Sequence, residues 1–230
     1  MERQVELINF DYGNVLAGFK TQKFYDFVRF NQWPGSPSPE SFFRSDCLVK
    51  YELDQLGELK FFEAVKFALG LTATMEEFFS MFSDVMKPDP RMIALRQILK
   101  QNGFKVAVIS NINRYHFEYV RQQWPEVFMG FDYLALSFLL KIRKPNWEIF
   151  DATAKELKVP PERCLLIDDQ KINVDAFGRW GGIGHHYNVV DDAFCPNGCL
   201  ETERNRLLLR MVRLRMLSLS QAGSIVRVDF

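Results

Sequence analysis

Short apolar runs alternate with helix-like stretches along much of the chain, and this alternation constrains the fold more than any other feature. The apolar runs recur at residues 5–10, 105–111, 131–137, 163–169 and 182–188. Between most of them, apolar residues return every three or four positions, as in PRMIALRQILKQNG and NWEIFDATAKELKV, which is typical of amphipathic helices. Strands that alternate with helices form a parallel sheet covered on both faces. We therefore predict an α/β fold with a doubly wound parallel sheet.

The interval from residue 18 to residue 90 breaks this alternation. It contains four helix-like stretches in succession, TQKFYDFVRFNQW, PESFFRSDCLVKYEL, ELKFFEAVKFALGL and TMEEFFSMFSDVM, and most of the chain's 22 phenylalanines. Phenylalanines at helical spacing favour a helical core over a binding surface. The predicted domains are a core at 1–17 and 91–200, an all-helical cap at 18–90, and a C-terminal helix with a strand-like tail at 201–230.

The overall composition offers no charge-driven function. Lys plus Arg and Asp plus Glu both total 29, so nothing general favours binding to nucleic acid or to an anionic membrane. The first apolar stretch, within MERQVELINFDYGN, carries charged residues, and no window approaches the roughly 18 apolar residues of a membrane span. We predict a cytoplasmic protein that binds neither nucleic acid nor membrane.

The four cysteines are too few for a disulfide framework in a chain of this size. Cys47 and Cys164 are predicted to be reduced thiols. Cys195 and Cys199 lie in FCPNGC, shortly after two histidines, which raises the question of a zinc site. Their spacing differs from the usual C-x2-C, and the Pro and Gly between them favour a turn.

The C-terminal segment has no place in the alternating core. ETERNRLLLRMVRLRML predicts a helix with Arg206, Arg210 and Arg213 at near-helical spacing, and SIVRVDF alternates like a strand. The favoured interpretation is a solvated basic face over an apolar stripe that docks on the core. A homodimer contact and a contact with an acidic surface are the alternatives.

Polar side chains end three of the predicted strands: Asp11, Ser110 with Asn111, and Asp168 with Asp169. Lys144 precedes the helix-like stretch before the last of these strands. Ligand sites in open parallel sheets lie beyond the carboxyl ends of the strands. Each side chain alone is also explained as a turn former or helix cap, but their shared position favours one site.

Three carboxylates at one edge would raise each other's pKa unless a cation joined them. Mg²⁺ prefers a few carboxylate or carbonyl oxygens with water and a substrate phosphate, which suits Asp11, Asp169 and a backbone carbonyl near Gly13. A hydroxyl, turn amides and the Lys144 ammonium would then complete a cradle for a phosphoryl group. In the cap, Tyr51 and Glu52 are expected to be ordinary helix-surface residues.

Four short motifs, FDYGNVL, VISN, RKP and LLIDDQKIN, together resemble those of the haloacid dehalogenase (HAD) superfamily. Their order and the helical insertion after the first motif match over roughly residues 5–190. The resemblance implies a Rossmann-like core with a helical cap. RKPNWEIFDATAKEL and LLIDDQKINVDAF are similar to the branch that contains the phosphatase domain of soluble epoxide hydrolase and a bacterial α-glucose-1-phosphate phosphatase.

The resemblance also implies a role for each motif residue. Asp11 would be the nucleophile, and Ser110 and Lys144 would assist it. The metal ligands would be Asp11, the carbonyl of Gly13 and Asp169, supported by Asp168 and Asn173. The phosphoryl group would be held by Tyr12, Gly13, Ser110, Asn111 and Lys144.

Gly13 departs from the usual family pattern. There, an Asp two residues after the nucleophile protonates the leaving oxygen and later activates water, and help of this kind is worth about 10² to 10⁴ in rate. Glycine has no side chain to do so, although its carbonyl can still bind a metal and its backbone can approach a substrate closely.

Three functions remain open from the sequence. The favoured one is a Mg²⁺-dependent phosphatase of a small phosphorylated metabolite, with a sugar phosphate as one candidate, acting through an aspartyl-phosphate on Asp11. The second is a dehalogenase or a carbon–phosphorus hydrolase. The Asp168–Asp169 pair disfavours the former, and the absence of a suitable cap lysine disfavours the latter. The third is a non-catalytic phosphate-binding or interaction protein.

Overall fold

The computed structural model of the protein describes residues 5–187 and parts of 204–226. Its centre is a five-stranded parallel sheet with the strand order β5-β4-β1-β6-β7. The strands are β1 Leu7–Phe10, β4 Lys105–Ser110, β5 Tyr133–Leu136, β6 Cys164–Asp168 and β7 Ile183–His186. β1 lies between β4 and β6, so the first strand of the chain occupies the middle of the sheet.

Helices cover both faces of this sheet. They are α5 Pro90–Gln101, α6 Arg114–Gln123, α7 Ser137–Leu140, α8 Trp147–Leu157 and α9 Lys171–Trp180. Because successive strand residues point to opposite faces, Ile8 packs in one core cluster with Leu95 of α5, and Leu7 packs in a second with Phe150 and Phe177. The prediction of a doubly wound α/β sheet is confirmed.

Four helices lie between the first core strand and α5. They are α1 Thr21–Phe30, α2 Asp46–Glu52, α3 Glu58–Leu69 and α4 Met75–Ser83, with a 3₁₀ helix at Pro39–Arg44. Their core is a cluster of phenylalanines in which the ring centroids of Phe24 and Phe42 are 5.0 Å apart and those of Phe78 and Phe82 are 5.4 Å apart. These rings fill the interior of the helical unit, as their spacing predicts.

Two short antiparallel strands join this helical unit to the core, and the sequence did not predict them. β2 Ala17–Phe19 pairs with β3 Met86–Pro88, so the chain leaves the core and returns to it through one narrow ribbon. Three-residue strands are too short to show a period of two, which is why pattern analysis missed them.

The C-terminal tail also differs from its prediction. SIVRVDF, residues 224–230, was expected to be a strand, but its first three residues end the helix Leu219–Val226. This segment packs near α5, where the Asn102 side chain donates to the Met216 carbonyl at 3.0 Å and the Gln221 side chain donates back at 3.0 Å. A strand needs a partner edge, whereas a helix can bury Ile225 against α5. Residues 227–230 lie outside the described residues, as do Cys195 and Cys199.

Two observations concern the predicted location and thiols. Within the part of the chain that the structure describes, no helix combines the length and the apolar character that crossing a bilayer requires. Cys47 and Cys164 are both free thiols, which agrees with their predicted state.

The phenylalanine cluster should provide much of the stability of the helical unit. Phe78→Ala removes a ring that is 0% exposed, and we expect the free energy of unfolding to fall by about 3–5 kcal/mol. Phe67→Ala is the matched control because its ring is 92% exposed, and it should change the stability by no more than about 0.5 kcal/mol. Urea titrations measure both, and equal losses would contradict this role of the cluster.

Candidate active site

The predicted site residues meet at the carboxyl ends of the three central strands. Asp11 directly follows β1, and its backbone N–H continues the strand pairing by donating to the Ile167 carbonyl at 2.9 Å. Ser110 ends β4 and Asp168 ends β6, on either side of Asp11. The parallel register therefore brings residues more than 150 positions apart in the chain to one edge of the sheet.

A buried lysine joins two of the carboxylates. The Nζ atom of Lys144 lies 2.8 Å from Oδ1 of Asp11 and 2.5 Å from Oδ2 of Asp168. The side chains of Lys144 and Asp168 are 1% and 0% exposed, and that of Asp11 is 10% exposed. Burial works against the charge on Lys144, but the two carboxylates outweigh it and raise the lysine pKa, so the ammonium remains charged.

Asp168 is fully engaged by protein groups. Besides Lys144, it accepts a hydrogen bond from the Gln170 backbone N–H at 2.8 Å and from the Asn173 amide at 3.0 Å. Its oxygens therefore serve to orient Lys144, and the Asn173 amide is directed at Asp168. The predicted support of a metal site by Asp168 and Asn173 stays a prediction.

Asp169 lies at the rim, held by residues that the sequence did not single out. Its Oδ2 accepts from the Asn14 side chain at 3.0 Å and from the Gln170 side chain at 2.9 Å. Asn14 has a φ of 56°, in the left-handed region that Asn tolerates better than most residues, and its Oδ1 accepts from the Phe19 N–H at 3.1 Å. In the sequence, the signal for this role was the asparagine that directly follows Gly13.

Three carboxylates form a cluster that suits a divalent cation. Ligand oxygens of Asp11, Asp168 and Asp169 all lie within 4.8 Å of one another, and Lys144 supplies a positive charge in contact with Asp11 and Asp168. Burial raises the pKa of Asp11, opposed by Lys144 and reinforced by Asp168 and Asp169. Burial also raises the pKa of Asp169. This excess of negative charge in a carboxylate-only donor set fits a hard ion such as Mg²⁺.

Two predicted phosphate ligands have their side chains committed elsewhere. The Asn111 amide donates to the Lys144 carbonyl at 3.0 Å and its oxygen accepts from the Lys144 N–H at 2.8 Å, so Asn111 holds the lysine backbone in place. The Tyr12 backbone N–H donates to Oδ1 of Asp11 at 2.6 Å, and its ring packs on Phe128. Ser110 is 1% exposed and lines the cavity described next.

A cavity of about 940 Å³ opens above Asp11 and extends into the helical cap. Its wall includes Glu52, which corrects the expectation of an ordinary surface residue: burial raises the Glu52 pKa against the effect of Arg143, whose Nη2 is 2.8 Å away. Tyr51 is also buried, at 3% exposure, and its ring stacks on Phe61 at 3.9 Å. Both contacts depend on tertiary packing.

His116 also lines the cavity, and its ring is fully satisfied. Its Nε2 donates to the Phe82 carbonyl at 2.7 Å, and its Nδ1 accepts from the Asn113 amide at 3.1 Å. Burial lowers the pKa of His116 to about 4. The ring is therefore neutral at physiological pH, and neither nitrogen is available as a proton carrier without breaking a buried hydrogen bond.

This geometry agrees with the comparison to protein families. A family model described as haloacid dehalogenase-like hydrolase matches residues 9–181, which is most of the chain. The protein therefore belongs to the haloacid dehalogenase-like hydrolases, as the four motifs predicted. The resemblance to the epoxide hydrolase branch stays a prediction.

Individual relatives carry phosphatase names. The chain is 30% identical over 108 residues to the sesquiterpene phosphatase astK of Aspergillus oryzae, covering 47% of this chain and 55% of that protein. It is 28% identical over 116 residues to a phosphorylated carbohydrates phosphatase of Thermotoga maritima, covering 50% and 52%. The matches thus span little more than half the length of these relatives.

A solved structure has a fold similar to that of this chain. A HAD family enzyme of Bacteroides thetaiotaomicron, in complex with magnesium and inorganic phosphate, has a TM-score of 0.65 and 19% identity to this chain. The match covers 79% of this chain and 93% of that one. At this identity the likeness supports the fold alone.

The bridge between Lys144 and two buried carboxylates should be essential for stability. Lys144→Met leaves Asp11 and Asp168 without their counter-charge, and removal of one partner from a buried pair costs about 3–5 kcal/mol in the free energy of unfolding. Lys171→Met is the matched control, because its pair with Asp175 lies on the surface and should contribute nothing measurable. Similar stability of the two variants in urea titrations would contradict the bridge.

The buried His116 should make stability fall in mild acid. Below the ordinary histidine pKa of about 6.5, the unfolded chain binds a proton that the folded chain refuses until about pH 4. The unfolded state is therefore favoured as pH falls. Between about pH 7 and pH 4.5, we expect wild type to lose about 2 kcal/mol more than His116→Gln. Identical pH dependence of the two proteins would show that His116 titrates normally.

Proposed function

We propose that the protein is a Mg²⁺-dependent phosphatase of a small phosphorylated metabolite and that it acts through an aspartyl-phosphate on Asp11. The observation that carries this proposal is the position of Asp11 at the floor of the cavity, in contact with Lys144 and within 4.8 Å of two further carboxylates. A nucleophile, a fixed cation and a metal-binding edge are the parts that phosphoryl transfer requires.

The named relatives support phosphate ester chemistry without agreeing on the substrate. One is called a sesquiterpene phosphatase and another a phosphorylated carbohydrates phosphatase. The structural neighbour was crystallised with magnesium and inorganic phosphate. The chemistry common to these proteins is the phosphoryl group, and the leaving groups differ.

Asp11, Asp169 and the carbonyl of Gly13 are the proposed ligands of Mg²⁺, with Asp168 and Asn173 behind them. When bound, the ion supplies positive charge that polarises a phosphoryl oxygen and lowers the repulsion between an anionic nucleophile and an anionic substrate. The protein's own part is to keep these carboxylates close together, which Asn14 and Gln170 do through Asp169.

The remaining residues would orient the two reacting groups. A free carboxylate oxygen of Asp11 attacks phosphorus, and the bond from phosphorus to the ester oxygen breaks. Lys144 has three N–H groups, of which two contact carboxylates, so one is left for a phosphoryl oxygen. The Ser110 hydroxyl at the end of β4 would hold another oxygen, and Asn111 would contribute through its backbone because its side chain holds the Lys144 backbone.

Gly13 limits the leaving groups that such a site can expel. No side chain at this position can protonate the departing oxygen, so esters whose oxygen leaves with little protonation are favoured. A sugar phosphate of this kind is one candidate. The position is not closed sterically: a β-carbon built on Gly13 meets no atom within 4 Å, and its φ lies outside the left-handed region.

The positions of the cap lysines disfavour a carbon–phosphorus hydrolase. Lys50, Lys60 and Lys66 are exposed on the cap, and the cavity lining among the described residues includes no lysine that could form a Schiff base. A dehalogenase remains disfavoured by the paired Asp168 and Asp169, since carbon–halogen cleavage in this family needs no metal.

Two sequence predictions stay proposals. The first is a cytoplasmic location. The second is a homodimer through the C-terminal tail, in which Leu207 and Met211 are buried, each 0% exposed in the single chain. That burial agrees with a tail docked on its own core, and light scattering of the purified protein with and without the tail would test the dimer.

The central test is hydrolysis of p-nitrophenyl phosphate with and without Mg²⁺. We expect Mg²⁺-dependent turnover that falls at least about 10³-fold in Asp11→Asn, because the amide cannot attack phosphorus. Asp175→Asn, which removes a surface carboxylate, is the control that should retain activity.

A wider panel of about a hundred phosphorylated metabolites decides among the alternatives. Absence of turnover across the panel, with retained phosphate or Mg²⁺ binding, would favour the non-catalytic alternative. Chloride release from 2-chloropropionate that resists a chelator would favour the dehalogenase.

A further inference from the structure

The cap side of the cavity presents an aromatic wall. We use this term for Phe19, Tyr25 and Phe43, which are all partly exposed and all line the cavity. The ring centroids of Phe19 and Phe43 are 5.4 Å apart and those of Tyr25 and Phe43 are 5.8 Å apart, with interplanar angles of 79° and 71°. Such edge-to-face contacts hold three rings in fixed positions, so the wall is preformed.

Other apolar side chains extend this surface. Leu48, Phe82 and Met86 also line the cavity, and each is at least nine-tenths buried. A large apolar surface inside a cavity favours a ligand that buries apolar area of its own. The cavity therefore suits a substrate with an apolar portion next to its phosphoryl group.

Several polar residues of the cavity are already bound to other parts of the protein. Glu40 pairs with Arg29, the Ser41 hydroxyl donates to the Ser38 carbonyl at 2.7 Å, and Glu52 pairs with Arg143. His116 uses both of its ring nitrogens, as described above. A sugar ring would bring several hydroxyls, and these residues would have to share or give up their present partners to bind them.

The missing acid at Gly13 points independently to the same kind of substrate. A phenolic oxygen leaves as an anion whose conjugate acid has a pKa of about 10. The conjugate acid of an aliphatic alkoxide is a much weaker acid, close to water, so the alkoxide is a much poorer leaving group. A site with no proton donor at position 13 therefore discriminates in favour of phenolic leaving groups.

From these two observations we propose that the substrates are aryl phosphate monoesters, whose ring packs on the aromatic wall and whose oxygen leaves as a phenolate. This inference rests on the proposed phosphatase function and names its substrate class. In the step it describes, an Asp11 oxygen bonds to phosphorus, the bond from phosphorus to the phenolic oxygen breaks, and that oxygen keeps the electron pair. Solvent protonates it after departure, and water then hydrolyses the aspartyl-phosphate to inorganic phosphate.

The test compares phosphate esters in which the presence of an aromatic ring and the kind of leaving group vary separately. Phenyl phosphate has both features, benzyl phosphate has the ring with an alkoxide leaving group, and cyclohexyl phosphate has neither. With Mg²⁺ and the full-length chain, we expect kcat/KM to fall in that order, with phenyl phosphate at least about 10²-fold above benzyl phosphate. Glucose 1-phosphate should be hydrolysed at least about tenfold more slowly than phenyl phosphate.

Two variants probe the two features separately. Phe43→Leu keeps apolar volume but removes a ring of the wall, and it should raise KM for phenyl phosphate about three- to tenfold with little change for cyclohexyl phosphate. Phe67→Leu, on an exposed ring of the cap, is the control. Gly13→Asp has room for its side chain and should raise the ratio of kcat/KM for benzyl phosphate to kcat/KM for p-nitrophenyl phosphate about 10²-fold.

The outcomes distinguish this inference from the phosphatase proposal. Equal turnover of phenyl and cyclohexyl phosphate would overturn the aryl substrate class while leaving the phosphatase proposal intact. Faster turnover of glucose 1-phosphate than of phenyl phosphate would do the same. If no ester at all were hydrolysed, the phosphatase itself would be wrong, and the inference with it. Equal gains for both esters in Gly13→Asp would show that leaving-group protonation does not limit the rate.

Discussion

The site depends on one interaction, the contact of the buried Lys144 ammonium with the carboxylates of Asp11 and Asp168. Moving a charge out of water is costly, and only close opposite charges with further hydrogen bonds compensate for it. Asp168 meets this condition because Lys144, Asn173 and the Gln170 backbone occupy its oxygens. It is therefore a fixed counter-charge that holds Lys144 beside Asp11.

Hydrogen bonds hold the backbone of Lys144 in place, in addition to the ion pairs of its ammonium group. The Asn111 side chain exchanges two hydrogen bonds with the Lys144 backbone, so a residue at the end of β4 fixes the loop that carries the lysine. Asp169 is left at the rim, where Asn14 and Gln170 orient it toward the cluster. This division separates a buried positioning carboxylate from a rim carboxylate that is accessible to a metal ion.

Much of the fold was predictable because it rests on local patterns. The apolar runs identify the five core strands to within two residues at each end, and the helical period identifies the helices of the core and the cap. The candidate site followed from polar residues at strand ends, since parallel strands place their carboxyl ends together. The two joining strands were missed because they are too short to show a period. Residues 224–226 were predicted as the start of a strand although they end a helix, because so short a segment does not distinguish the two periods.

By itself, the sequence determined the family, the alternating architecture and the identity of the carboxylates, the lysine and Gly13, because these are properties of residue type and order. Only the tertiary structure decided that Asp168 serves Lys144, that Asn14 and Gln170 hold Asp169, and that Glu52 is a buried cavity residue. It also brought Phe19, Tyr25 and Phe43 together as a wall. The physical reason is that such roles depend on distances and burial between residues far apart in the chain, which hydrophobic periodicity does not encode.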